Sequence, residues 1–146
     1  MTAFDRVRVE AAVREILIAI GEDPGRGGLE RTPARVADAY VEFFSGVGVD
    51  ATSVLGDTFP VPDGATAEPV LVRDLEFRSI CEHHLLPFTG VAHVAYVPSD
   101  RLIGLGRIAS VVHTLASRPQ LQERLGDEIA GAIERGVDAR GVLVVL

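Results

Sequence analysis

Apolar positions near the N-terminus repeat at the three- and four-residue spacing of amphipathic helices. The first run stops at Gly21, a residue suited to a helix C-terminus, and consists of Val9, Val13, Ile16, Leu17 and Ile20. The stretch GEDPGRGGLE then predicts a loop. In the following stretch, RTPARVADAYVEFFSG, Thr32 can cap a helix and Pro33 fits its first position. The apolar stripe of this second predicted helix ends at Gly46 and consists of Val36, Tyr40, Phe43 and Phe44.

β-Branched and aromatic residues dominate much of the second half of the chain. The stretches VLVRDLEFRSI and GVAHVAYV predict two strands, and GVLVVL predicts a last one. Between them, helical spacing predicts a short helix through Ile108 and Leu115 and a longer one through Leu121 and Ile133, separated by Arg118 and Pro119. We expect one domain over residues 1–146, with an N-terminal helical part (1–46), a connecting loop (47–69) and a sheet-and-helix core (70–146).

Composition and charge narrow the possible functions. The net charge of −7 and the scattered arginines argue against a nucleic-acid surface. All 14 basic residues are arginines, which excludes a P-loop lysine, a Schiff-base lysine and a kinase lysine within this sequence. No apolar run approaches the roughly 20 residues that cross a bilayer, and the stretch MTAFDRVRVE lacks the plan of a secretory signal. We therefore expect a cytoplasmic protein that uses arginine for any anionic ligand and binds neither nucleic acid nor membrane.

One short stretch, RSICEHHLLPF, holds the only cysteine and two of the four histidines. Cys81 and His84 can reach one metal ion if the backbone turns, and thiolate with imidazole is a ligand set that zinc favours. The spacing alone leaves three roles open for Cys81: a buried small side chain, a reactive thiol or a metal ligand. A catalytic zinc site also needs a third protein ligand, and this sequence has no second cysteine to supply it.

The sequence resembles the GTP cyclohydrolase I family. The resemblance is carried by GEDPGRGGLERTPARVADAYVEFFSG, by SICEHHLLPFTGVAHVAYVPSDRLIGLGRI and by RPQLQERLGDEIAGAI, in that order. It implies that Cys81 and His84 bind Zn²⁺ and that His83 acts as an acid/base group beside the metal. It also makes Glu82 a residue that orients the metal ligands, as carboxylates near metal sites commonly do.

The resemblance further implies a reaction and a substrate. The family opens the imidazole ring of GTP by adding water at C8, releases that carbon as formate, and forms 7,8-dihydroneopterin triphosphate, the first step of pterin and folate biosynthesis. By the same resemblance Gln122 and Glu123 face the guanine, although a glutamate in the first turn of a helix is also favoured by the helix dipole. Gly106 and Arg107 would contact the triphosphate, and Arg35 would reach it from a neighbouring subunit.

The fold implied by the resemblance is an α+β tunnelling fold, the T-fold. It has a four-stranded antiparallel sheet with two helices on one face, preceded by N-terminal helices. Subunits of the family join their sheets into pentamer rings, and two rings stack as a homodecamer with active sites between subunits. The expected partners are therefore GTP and further copies of the same chain.

The sequence departs from the family pattern at two places. Gly106 and Arg107 stand where many members have serine and lysine, and Ser110 stands where an arginine is frequent. Family members also continue beyond the position of Leu146 with a third zinc ligand, a second histidine and another arginine, so we expect a fourth strand to be missing there. Two alternatives remain open: an inactive or partner-dependent homologue of this fold, and a thiol enzyme in which a neighbouring histidine activates Cys81.

Overall fold

The computed structural model describes residues 4–64 and 68–146. The chain forms two compact units, Met1–Phe44 and Ser45–Leu146. Their boundary lies near the end of the predicted N-terminal helical part, and the organisation as one domain stays a prediction. No helix in the described part of the chain is long and apolar enough to cross a membrane.

The first helix of the N-terminal unit, α1, spans Arg6–Ala19. The Asp5 carboxylate caps it by accepting the backbone N–H of Arg8 at 3.0 Å. At the other end Gly21 adopts a left-handed conformation with φ 88°, and the N–H groups of Gly21 and Glu22 turn back onto carbonyls of the last turn. This geometry confirms the predicted role of Gly21, because only glycine adopts that conformation without steric cost.

The second helix, α2, spans Thr32–Phe43. Pro33 lies at its second position and not at the predicted first one, because the helix begins one residue earlier, at Thr32. The prediction that Thr32 caps this helix is wrong. Thr32 is already helical, Arg31 occupies the cap position, and no side chain caps the helix. The Thr32 hydroxyl instead donates to the Gly28 carbonyl at 3.3 Å, an acceptor in the preceding loop that sequence patterns do not reveal.

The C-terminal unit is built on a four-stranded sheet in the order β5-β2-β3-β6. Its strands are β2 (Val70–Cys81), β3 (Pro87–Val97), β5 (Pro119–Gln120) and β6 (Gly141–Val145). The three longer strands are antiparallel and confirm the predicted ones, whereas β5 is a two-residue strand parallel to the end of β2.

A second, two-stranded sheet pairs β1 (Thr58–Pro60) with β4 (Arg101–Ile103). Together with a 3₁₀ turn at Ser53–Leu55, β1 lies in the stretch that was expected to be only a connecting loop. Three residues are too few to show the alternation by which a strand is recognised in a sequence, so the pattern could not reveal either β1 or β4.

Two helices, α3 (Leu105–Ala116) and α4 (Gln122–Val137), pack on the sheet to form the core. From α3 the core takes Ile108, Val111, Val112, Leu115 and Ala116, and from α4 it takes Leu125, Ile129, Ala132, Ile133 and Val137. Alternate residues of β3, namely Ala92, Val94 and Tyr96, face the same core. This arrangement of two helices against a largely antiparallel sheet confirms the expected α+β class and T-fold.

Candidate active site

The turn from Cys81 to His84 connects β2 to β3, with Cys81 as the last residue of β2. The backbone N–H of Cys81 donates to the Leu86 carbonyl, and the N–H of Leu85 donates to the Cys81 carbonyl, both at 2.8 Å. Leu85 takes a left-handed conformation with φ 54°, which allows the chain to reverse here. The hairpin therefore places the side chains of Cys81, His83 and His84 at one end of the sheet.

These side chains differ in exposure. Cys81 is half-buried, whereas His83 and His84 lie exposed on the turn. The Nδ1 atom of His84 accepts the backbone N–H of Leu86 at 3.4 Å, which orients the imidazole ring only weakly. The turn thus presents one thiol and two imidazoles close to solvent, where a metal ion or a substrate can reach them.

The donor set of this turn suits zinc but is incomplete. Cys81 and His84 offer sulfur and nitrogen, which zinc prefers. Residues 4–64 and 68–146 contain no group of three or more His, Cys, Asp and Glu side chains placed to hold a metal ion. A catalytic zinc site has three protein ligands, one more than Cys81 and His84 supply.

Strand β5 brings the start of α4 beside the turn. Pro119 and Gln120 pair with Ile80 and Cys81, and the backbone N–H of Glu82 donates to the Gln120 carbonyl at 3.1 Å. The chain enters α4 directly after this strand. The structure therefore joins the two most specific motifs of the sequence, which are far apart along the chain.

The predicted guanine-binding residues occupy the first turn of α4. Gln122 and Glu123 are both exposed, and the Gln122 side chain donates to the Leu146 carbonyl at 3.3 Å. Glu123 is the acidic residue of that turn, where the partial positive charge at the helix N-terminus favours a carboxylate. Their position next to the turn agrees with a shared site, while their contact with guanine stays a prediction.

Arg124, which the sequence reasoning did not single out, lies between the two motifs. Its Nη2 atom is 2.5 Å from the Glu82 carboxylate and 2.7 Å from the Pro119 carbonyl, and its Nε donates to the Gln120 side chain at 2.9 Å. The sequence places Arg124 directly after Glu123, but only the pairing of β5 with β2 brings it to Glu82.

The predicted phosphate-binding residues are not gathered at the turn. Gly106 and Arg107 lie in the first turn of α3, whereas the C-terminal end of this helix contacts β2, where the Ser79 hydroxyl donates to the Ala116 carbonyl at 2.6 Å. Arg107 lies nine residues before Ala116, about 14 Å along the helix axis, so it stands toward the opposite end of α3 from that contact. Arg35 is exposed on α2 in the other compact unit, and its role stays a prediction.

The side chain of Arg107 instead packs over Gly56. A Cβ atom at Gly56 would lie 3.2 Å from the guanidinium carbon of Arg107, and Gly56 has φ 62°. Glycine at this position therefore serves two purposes, since it allows the turn after the 3₁₀ segment and leaves space for the arginine.

Comparison with known proteins places this geometry in a family. The family model described as GTP cyclohydrolase I matches residues 9–146. A protein named GTP cyclohydrolase 1 from Leifsonia xyli subsp. xyli is 63% identical over 146 residues, covering 100% of this chain and 76% of that protein. Proteins of the same name from Mycolicibacterium vanbaalenii and Rhodopirellula baltica are 54% and 53% identical, covering 98% and 97% of this chain and 70% and 61% of their own length.

Both specific motifs, the turn at the end of β2 and the start of α4, lie within the matched residues. The match extends through nearly all of the described chain, and the relatives share more than half of its residues. The chain belongs to the GTP cyclohydrolase I family.

Proposed function

We propose that this protein is a GTP cyclohydrolase that converts GTP to 7,8-dihydroneopterin triphosphate with release of formate. The observation that carries the proposal is the family match over residues 9–146, in a structure that sets the Cys81–His84 turn beside the first turn of α4. In this proposal the enzyme works in the cytoplasm and begins pterin and folate biosynthesis.

Zinc is part of the proposal. Cys81 and His84 would hold it, together with a third donor from outside the described residues. When bound, zinc supplies a Lewis acid that makes water a nucleophile near neutral pH. The half-buried position of Cys81 and the exposed position of His84 leave both donors accessible to an entering ion.

The turn would supply proton transfer. His83 is exposed beside both proposed ligands, and an imidazole can both donate and accept protons in general acid/base catalysis. In the proposed reaction it moves protons to and from the opening imidazole ring. Glu82 takes no part in this proton transfer, since its carboxylate is paired with Arg124.

The first turn of α4 would select the base. The Glu123 carboxylate can accept hydrogen bonds from both the ring N1–H and the exocyclic amine of guanine, a pattern that adenine does not present. Gln122 can add a donor and an acceptor from the preceding position. Such a pair selects GTP over ATP because a mismatched base would leave the carboxylate unpaired.

Assembly into a homodecamer of two pentamers is a further part of the proposal. Arg107 and Gly106 stand at the far end of α3 from the turn, which favours a site in which the triphosphate is bound by more than one subunit. Within the described residues β6 pairs with β3 alone, so its other edge is open for a strand of a second copy. Arg35 would reach the triphosphate of a neighbouring subunit.

The test is turnover by the purified protein with GTP and zinc, followed by formate release and by the fluorescence of the oxidised pterin product. We expect both products in equal amounts, and loss of both in His83→Ala and Cys81→Ala variants that retain the fold. Release of phosphate without formate would overturn the proposed reaction. Mutation of His113, an exposed histidine on α3, serves as the matched control and should leave turnover intact.

A labelling experiment tests the metal ligands independently of turnover. Because a zinc-bound thiolate is shielded from alkylation, zinc should slow the reaction of Cys81 with iodoacetamide, and His84→Ala should remove this protection. Rapid labelling that zinc does not change would instead identify Cys81 as a free reactive thiol.

One observation favours a second candidate, an inactive or partner-dependent homologue. Residues 4–64 and 68–146 hold no group of three or more His, Cys, Asp and Glu side chains placed to bind a metal ion. In that case the protein would assemble and bind little zinc, and it would show no turnover until a partner supplied the third donor. Measuring zinc content and oligomer mass on the same sample separates the two candidates.

A further inference from the structure

Arg124 contacts three residues of the proposed site, one on the turn and two in β5. Its Nη2 atom is 2.5 Å from a carboxylate oxygen of Glu82 on the turn. The same nitrogen donates to the Pro119 carbonyl at 2.7 Å, and Nε donates to the Gln120 side chain at 2.9 Å. A guanidinium carries five N–H groups in a rigid plane, so it can hold these acceptors at once in one geometry, which an ammonium cannot.

Gln120, which accepts a hydrogen bond from Arg124, is itself held in place. Gln120 is only 1% exposed. Its Nε2 donates to the Leu115 carbonyl at 3.1 Å and to the Glu128 carboxylate at 2.8 Å, while its Oε1 accepts from Arg124 and from the backbone N–H of Leu121. A buried amide with all its hydrogen-bonding groups used has little freedom to rotate. The Gln120 side chain therefore fixes the orientation of the Arg124 guanidinium.

Glu82 connects Arg124 and Gln120 to the turn. Its carboxylate pairs with Arg124, and its backbone N–H donates to the Gln120 carbonyl at 3.1 Å. Glu82 lies between Cys81 and His83, so fixing both its backbone and its side chain restricts the peptide groups on either side. Among the described residues, the exposed imidazole of His84 makes a single long hydrogen bond, to the Leu86 N–H at 3.4 Å, so its direction depends on the turn.

We propose that Arg124 is a positioning residue that fixes the Cys81–His84 turn to the start of α4. It thereby holds the side chains of the turn in the correct place relative to the guanine-binding residues. This inference rests on the proposed function. Arg124 acts through Glu82 and Gln120 and touches no substrate, while its neighbour Glu123 faces the base.

Two substitutions, Arg124→Gln and Glu82→Gln, each remove the ion pair between Arg124 and Glu82. The double variant completes a double-mutant cycle. In GTP turnover we expect each single variant to lower kcat about 10- to 100-fold with little change in KM, because residues that orient a site from outside act mainly on the chemical step. The double variant should be no slower than the slower single one, since both substitutions remove the same interaction. Arg124→Lys should retain an intermediate kcat.

Hydrogen exchange gives a readout that does not need turnover. The N–H groups of Cys81, Glu82 and Leu85 are hydrogen-bonded within or below the turn, and we expect faster exchange over residues 81–86 in Arg124→Gln and in Glu82→Gln. Arg135→Gln is the matched control, because Arg135 is exposed in the last turn of the same helix and should change neither kcat nor this exchange.

The outcomes separate the two proposals. If the wild-type protein shows no GTP turnover, the proposed function fails, and exchange over residues 81–86 alone decides the positioning role. Unchanged exchange in both single variants, or kcat losses that multiply in the double variant, would overturn the role of Arg124. Should Arg124→Gln not fold, the pair of Glu82→Gln and Arg124→Lys gives the same comparison.

Discussion

At the scale of single residues, Glu123 is the group on which base selection should depend. A hydrogen bond to a charged group contributes about 1.5–3 kcal/mol, so Glu123→Gln should lower kcat/KM for GTP by about 10- to 150-fold. The wild-type protein should also prefer GTP to inosine triphosphate, which lacks the exocyclic amine. Steady-state kinetics with both nucleotides measure this preference, and we expect the variant to lose most of it.

Asp127→Asn is the matched control for this substitution, because Asp127 is an exposed carboxylate one turn further along α4. It should leave both kcat/KM values unchanged. A Glu123→Gln protein that prefers GTP as strongly as the wild type would show that another group reads the base.

The residues of the turn could be found in the sequence because they are contiguous. Cys81, His83 and His84 lie within four positions, so no knowledge of the fold was needed to bring them together. The partner of Glu82 could not be found in this way. Arg124 reaches it only through the pairing of β5 with β2, and a two-residue strand has no periodicity from which it could be predicted.

At the scale of elements, the segment after α2 is tightly packed on the end of α3 at Gly46. Its N–H donates to the Ser117 carbonyl at 2.9 Å, its carbonyl accepts from Arg118, and an added Cβ would overlap the backbone carbonyl of Thr114. Because backbone atoms cannot rotate away, Gly46→Ala should lower the unfolding free energy by about 1–3 kcal/mol. Urea unfolding followed by circular dichroism measures this loss.

Gly141→Ala provides the comparison, since nothing lies within 4 Å of a Cβ at that position. We expect its unfolding free energy to stay within about 0.5 kcal/mol of the wild type. Equal stability of the two alanine variants would mean that the segment around Gly46 relaxes without cost.

The elements that the sequence predicted well are those long enough to show a period. Helices α3 and α4 show apolar residues at helical spacing over three or more turns, and β2 and β3 are rich in strand-forming residues over their length. The parts that it missed are short or depend on distant partners. Strand β4, for example, is held where the backbone N–H of Ile103 donates to the Tyr96 hydroxyl at 2.8 Å, a contact made only in the folded chain.

At the scale of the whole molecule, the protein should lose stability in acid. Hydrogen bonds from the Thr52 hydroxyl and then from its backbone N–H hold the pKa of Asp50 below its ordinary value, and the side-chain hydrogen bond from Arg6 does the same for Asp38. A carboxylate whose pKa is lower in the folded state stabilises that state above the pKa of the unfolded chain, about 3.9, and this contribution is lost as the pH falls through the folded-state pKa.

Unfolding measured at pH 6 and at pH 3 tests this expectation. Thr52→Val removes the hydroxyl that donates to both carboxylate oxygens of Asp50 at 2.8 Å. It should therefore lower stability at pH 6 and have less effect at pH 3. An equal loss at both values would show that the contribution of Thr52 does not depend on the charge of Asp50.

Assembly is the remaining property of the whole molecule that can be tested directly. The sheet has β6 at one end of its strand order, and Leu143 on that strand is 62% exposed. At the other side, β5 pairs only with Ile80 and Cys81, so within the described residues no strand covers the rest of that edge of β2. Two unlike open edges on one sheet suit head-to-tail pairing between copies, which closes into a ring when the rotation per subunit allows it.

A charge on β6 should therefore prevent the proposed ring from forming. We expect light scattering coupled to size exclusion to give a large oligomer for the wild type and a smaller species for Leu143→Lys, because lysine on an edge strand opposes strand addition. Val47→Lys, at an exposed apolar residue outside the sheet, should leave the mass unchanged. If GTP is bound between subunits, Leu143→Lys should also lose turnover while remaining folded. A folded, active monomer would place the whole site within one chain and reject the shared site.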